Sequence, residues 1–127
     1  MSRPVIVFLT GLVSITTLNA AAAGEWAPST LSDSTIAKAQ EAKVSYQQCL
    51  DEQMRKHLMS NVDSRAITDA ILKACEDRLS PIRTAYDAEK VPPSITDRYL
   101  RQQRSRAAQD VLREIMAAQA VRQGGKE

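Results

Sequence analysis

The feature that most limits how this chain can fold is the stretch CLDEQMRKHLMSNVDSRAITDAILKAC. It runs from Cys49 to Cys75 and holds both cysteines of the sequence. Each cysteine lies 13 residues from Val62, inside the turn-forming segment Ser60-Asn61-Val62-Asp63. In an antiparallel helical hairpin, residues equally far from the turn sit at the same height along the two axes. Helices packed about 8–10 Å apart bring inward-facing Cα atoms to roughly 4–6 Å, within disulfide range. The spacing therefore predicts an intramolecular Cys49–Cys75 disulfide stapling a first helix to a second. A redox pair would need close spacing of the C-x-x-C kind, which the sequence lacks.

The flanking pattern agrees with a hairpin. Ala42, Tyr46, Leu50, Met54 and Leu58 recur every four residues with Cys49 beside them, and no Gly or Pro interrupts Thr35 to Met59. Asp63 or Ser64 can cap a second helix by accepting from its free N–H groups. That helix carries Ile67, Ile71, Cys75, Leu79, Ile82 and Tyr86 as one stripe. The stripe passes Pro81, which removes a hydrogen bond and crowds the preceding turn, so a kink is expected there, or a restart with Ser80 as cap. The segment KVPPS, Lys90 to Ser94, ends it.

A third helix is expected from Ser94, with Asp97 three residues on as a capping-box-like partner. Its apolar positions are Ile95, Tyr99, Ala108, Val111, Leu112, Ile115, Met116 and Ala118, and Gly124 and Gly125 stop it. The pattern predicts that Leu112, Ile115 and Met116 dock on the hairpin, leaving Val111 and Ala118 as a strip beside them. No segment after residue 24 reads as a strand. The fold class read from the sequence is all-α: a disulfide-stapled antiparallel helical hairpin plus a third C-terminal helix, a small helical bundle.

The start of the chain reads as an address. Arg3 precedes the apolar run VIVFLTGLVSITTL, which is followed by NAAAAG. A basic start, a short apolar core and small residues at an A-x-A-type site form a secretory signal peptide, with cleavage expected before Gly24. The run is shorter than the ~20 residues of a spanning helix and is diluted by Thr, Ser and Gly. The expected organisation is a signal peptide over 1–23, a flexible N-terminal arm over 24–34, a single helical domain over 35–123 and a disordered tail over 124–127. The expected localisation is periplasmic or secreted. An oxidising compartment of this kind preserves a disulfide.

Without residues 1–23 the chain keeps 16 Lys/Arg against 15 Asp/Glu. Near-neutral charge gives no global drive towards nucleic acid, and no nucleic-acid partner is expected. The core must be built mainly from aliphatic side chains, because the one Phe, Phe8, falls in the leader. Small chains of this kind gain from crosslinks.

Chemistry finds little to work with. His57 is the only histidine and no G-x-S-x-G context surrounds a serine. The carboxylate pairs Asp51/Glu52 and Glu76/Asp77 are helix neighbours pointing about 100° apart. The reading is of a non-enzyme with no cofactor. Met54 and His57 share a helix face and suggest a second reading, a small-ligand or metal-ion binder of the cell envelope, although Met59 points away from both.

The least even segment is DRYLRQQRSR, Asp97 to Arg106. Arg98, Arg101, Arg104 and Arg106 fall on one broad side of a helix, with Gln102 and Gln103 among them and Tyr99 alongside. Arginine is suited to bidentate contact with carboxylates and phosphates. The sequence thus points to an exported adaptor, inhibitor or chaperone-like module that binds another macromolecule, with Arg98, Arg101 and Arg104 as contacts. The expected partner is a protein or an anionic envelope surface.

Overall fold

The computed structural model describes residues 31–125, and the expected signal peptide and most of the expected arm lie outside them. Helix α1 spans Asp33–His57 and α2 spans Ser64–Cys75. A one-turn 3-10 helix, Glu76–Leu79, leads into α3, Ser80–Ala88, and α4 spans Pro93–Gly124. The described residues contain no strand.

Each boundary has a local cause. Ser32 caps α1 by accepting from the Thr35 N–H at 3.2 Å, so the helix starts two residues before the expected Thr35. The Ser32 N–H in turn donates to Glu89 Oε1 at 2.9 Å, which ties the beginning of α1 to the end of α3. That hydrogen bond is the main reason the Glu89 carboxyl is held below its ordinary pKa. Asp63 caps α2, its Oδ1 accepting from the N–H groups of Arg65 and Ala66.

The expected second helix is one arm broken by the 3-10 turn. The break precedes Pro81 because a proline denies a hydrogen bond to the carbonyl four residues earlier, here that of Asp77. Ser80 compensates: its backbone N–H and its Oγ both donate to Asp77 O, the latter at 2.8 Å. Pro81 then sits in the first turn of α3, as the restart reading expects. Ser80 does not serve as an N-cap through its side chain.

Lys90 ends α3 in the left-handed region, φ 57°, with its N–H donating to Asp87 O. Pro92 and Pro93 start α4. The expected Ser94–Asp97 capping box is not formed. The N–H groups of Ile95 and Thr96 bond to Pro92 O, and Asp97 pairs with Arg83 of α3.

The two arms of the hairpin run antiparallel, with Cys49 bonded to Cys75 and their Cα atoms 5.8 Å apart. Ile67, Ile71, Cys75, Leu79, Ile82 and Tyr86 are all buried, as their spacing predicts, against Ala42, Tyr46 and Leu50 of α1. Met54 is only partly buried and Leu58 is exposed, so the α1 stripe fades before its helix ends.

α4 lies back along the second arm. Its buried positions are Thr96, Leu100, Ala107, Val111 and Ile115. Its docking therefore differs from the expected Leu112–Ile115–Met116 surface: Val111 faces inward, Leu112 is half-buried and Met116 is 54% exposed. The expected outer strip of Val111 and Ala118 does not exist, because Val111 is in the core.

Candidate functional site

Six arginines stand on α4 against three acids, whereas residues 31–92 hold nine Lys/Arg and ten Asp/Glu. The excess positive charge of the bundle is therefore concentrated on its last helix. The question is which of these arginines the fold already uses.

Arg104 is used. It is half-buried, and its Nε donates to both carboxylate oxygens of Glu76, at 2.8 and 3.0 Å, while its Nη2 donates to Glu76 Oε1. This forked contact joins α4 to the 3-10 turn. The bond to Glu76 raises the guanidinium pKa further above its ordinary value, against the opposing effect of partial burial. Beside the pair lies Tyr46, whose phenol is raised chiefly by burial and then by the Glu76 charge. Arg104 is thus a structural link, and its side chain does not share the exposed position of its two sequence neighbours.

Arg98 and Arg101 are exposed, and neither forms an ion pair among the described residues. Arg106 is likewise exposed and unpaired there. At about 100° per residue, Arg98, Gln102, Gln109 and Arg113 fall within roughly 60° of one another, with Arg101 and Arg106 on either side. No carboxylate shares that sector. Asp97 is turned towards Arg83, and Asp110 lies at its border, 3.4 Å from Arg113. The face is polar, arginine-rich and free of acids over several helical turns.

The backbone under this face is fixed. Leu100 is buried between its arginine neighbours, and Thr96 is fully buried one turn earlier. Tyr99 packs on Tyr86, their rings 5.6 Å apart and inclined by 39°. Burial raises both phenols above their ordinary pKa. The arginines therefore project from a helix segment that is clamped on its inner side. Such a platform leaves mainly side-chain entropy to be lost when a partner binds.

Other concave regions offer less. A shallow groove of about 670 Å³ runs between α1 and α3, lined by Lys38, Ala42, Ser45, Arg78, Thr84 and Ala85 among others. Its hydroxyls are engaged: Ser45 Oγ accepts from Arg78 Nη1, Ser80 Oγ donates to Asp77 O, and Thr84 Oγ1 donates to Ser80 O. Its lining contains no histidine or cysteine to activate one of them. A smaller depression beside α1 and α4 includes Met54, Asp51, Asp110 and Glu114, but not His57. Among the described residues no group of three or more His, Cys, Asp or Glu is placed to hold a metal ion.

No helix among the described residues is long and apolar enough to cross a membrane. No protein-family model matches the chain, and no curated protein or solved structure is significantly similar to it.

The sequence groups Arg98, Arg101, Arg104 and Arg106 on one broad side; Arg98, Arg101 and Arg106 are exposed there, whereas Arg104 is turned to Glu76. The wheel places Arg104 about 60° from Arg101, which is enough to turn it towards the second arm. Arg113, which the sequence reading did not include, extends the face, and its position was legible on the same wheel.

Proposed function

We propose that the chain is a small exported helical protein that binds an acidic protein partner through the outer face of α4, without catalysis. It would act as an adaptor, inhibitor or chaperone-like module in the periplasm or outside the cell. The observation that carries this reading is the exposure of Arg98 and Arg101 in an acid-free sector of a helix whose inner side is clamped by Leu100, Thr96 and Tyr99. Arginine forks match carboxylates bidentately, and arginine is favoured at the anchors of protein interfaces. The compartment is supported by the composition of residues 1–23 and agrees with the Cys49–Cys75 bond.

The test is site-specific photo-crosslinking in living cells. A photoreactive residue at Gln102, between the arginines, is expected to capture an acidic protein. The same residue at the exposed Gln48 of α1 is expected to capture little. Equal products from the two positions would remove the arginine face as the binding surface.

A further inference from the structure

Seven large apolar side chains stand exposed among the described residues, and four of them lie at one end of the bundle: Leu58, Met59, Val62 and Val121. Met59 and Val121 are each 77% exposed and Val62 is 56% exposed. The first three belong to the α1–α2 turn; Val121 is in the last turns of α4 at the same end, on a side turned away from Gln119 and Arg122, which meet the turn. Exposed apolar groups scattered singly need no account, but a cluster at one tip does.

Several polar groups of the turn that displays them are paired among the described residues, although the Asn61 amide has no partner there and Arg122 Nη1 is buried without one. The Ser60 N–H donates to His57 O at 2.9 Å, and the Val62 N–H donates to Ser60 Oγ at 3.2 Å. From α4, Arg122 Nη2 donates to Ser60 O at 2.6 Å, and Gln119 Nε2 donates to Val62 O at 2.8 Å. Asp63, the one acid of the turn, accepts from two N–H groups at the start of α2, where the helix dipole offsets its charge. Internal pairing of this kind is what a turn needs before it enters a medium that offers no hydrogen bonds.

Cations surround the tip. Arg55 and Lys56 end α1, Arg65 opens α2 and Arg122 closes α4. Apart from Asp63 in the turn, the acids stand beside or behind these cations along the helices. Glu52 pairs with Lys56, while Asp51, Asp110 and Glu114 lie on the flank between α1 and α4 with Arg55. Within about one helical turn of the tip, four cations therefore stand against one acid, the capping Asp63. An apolar tip with a net positive surround complements a lipid interface, with an apolar layer beneath anionic headgroups.

We infer that the α1–α2 turn is a membrane-contact tip, which inserts Met59 and Val62 end-on among the headgroups of an anionic lipid surface while the surrounding cations meet the phosphates. Charge complementarity selects this occupant. The site is independent of the arginine face, since Arg101 and Arg122 are separated by roughly 30 Å along α4.

The test is co-sedimentation of the protein, as recovered from cells, with two kinds of vesicle. One is phosphatidylcholine alone and the other is an equimolar mixture with phosphatidylglycerol. Binding to the mixed vesicles at low salt is expected, with much weaker binding to the neutral ones and a steep loss as salt rises. The double substitution Met59→Ser/Val62→Ser is expected to lower partitioning by about tenfold while melting like the parent, since both side chains are exposed. At about 0.1 M salt, Arg98→Glu/Arg101→Glu is expected to partition within about twofold of the parent, because those residues then lie well beyond the ~10 Å Debye length from the tip. Absence of binding to mixed vesicles, or equal binding by the Met59/Val62 variant, overturns the inference. Equal binding to neutral vesicles does so as well. Loss of vesicle binding on reversal of Arg98 and Arg101 would move the lipid contact to the arginine face, and loss of a protein crosslink in the tip variant without any vesicle binding would assign the tip to a protein.

Discussion

The hairpin and the last helix are held by different kinds of contact. In the hairpin, a ladder of aliphatic side chains from Ile67 to Ile82 packs on Ala42, Tyr46 and Leu50, and one covalent bond joins the arms. In α4 only five of 32 residues are buried, and two of these, Thr96 and Ala107, bring little apolar area. Polar contacts supply the register that burial alone leaves loose. Asp97 meets Arg83, Arg104 meets Glu76, and Gln119 and Arg122 meet carbonyls of the α1–α2 turn. These pairs step forward along α4 and backward along the second arm, so together they specify one antiparallel alignment. Apolar burial is non-directional, whereas hydrogen bonds are sensitive to angle. Hence a helix with a thin apolar stripe can still be seated in one register, and its outer side stays free for other uses.

The largest expected effect breaks the hairpin side of this comparison. Cys75→Ser restores freedom to the unfolded chain, a loss of about 3.5 kcal/mol in the chain-entropy account of a loop this long. Thermal unfolding should fall by roughly 15 °C or more. An unchanged melting temperature would mean that the aliphatic ladder is sufficient without the bond. Next is a pair of substitutions within α4. Leu100→Ala should cost about 3 kcal/mol, because its side chain is 2% exposed. Met116→Ala should lie within about 0.5 kcal/mol of the parent. Denaturant titration of both variants checks the register of α4 directly, and the reverse ranking would mean that the helix is rotated.

Smaller effects sharpen the comparison. Arg104→Ala should destabilise by about 1 kcal/mol. The figure is modest because the Arg104 and Glu76 side chains remain 40% and 44% exposed and are screened by solvent. Lys90→Gly should stabilise by about 0.5 kcal/mol, since a side chain is disfavoured at φ 57°. A small rise in denaturant midpoint at constant slope would verify it. A fall would show that the Lys90 side chain contributes a contact outweighing its backbone conformation.

The hairpin was legible because its signal is periodic and redundant. Six apolar residues at steps of three and four, an unbroken partner helix and two cysteines centred on a turn agree on one arrangement, and all six are buried. The helix boundaries were legible to within one or two residues, since Asp63 and Pro81 act through local bonds. The orientation of α4 was not. Thr96 and Ala107 face inward although they are weakly apolar, and Met116 and Val121 face outward although they are strongly so. Hydrophobicity therefore pointed to a register rotated from the real one. Two polar residues were also assigned locally that act at long range. Asp97 looked like a cap, and Arg104 like a surface contact. Their partners, Arg83 and Glu76, are brought near only when α4 folds back along the second arm.

The central claim is that α4 separates structural work, on its inner side, from partner binding, on its outer side. Reversal of charge at Arg98 and Arg101 together tests it most directly, with melting and crosslinking through Gln102 measured on the same variant. Arg98→Glu/Arg101→Glu should melt within about 0.5 kcal/mol of the parent, as exposed unpaired positions allow, and should lose the acidic partner captured through Gln102. A variant that melts like the parent and yields the same crosslinked product in the same amount would contradict the account, leaving the arginine face as a solvated surface.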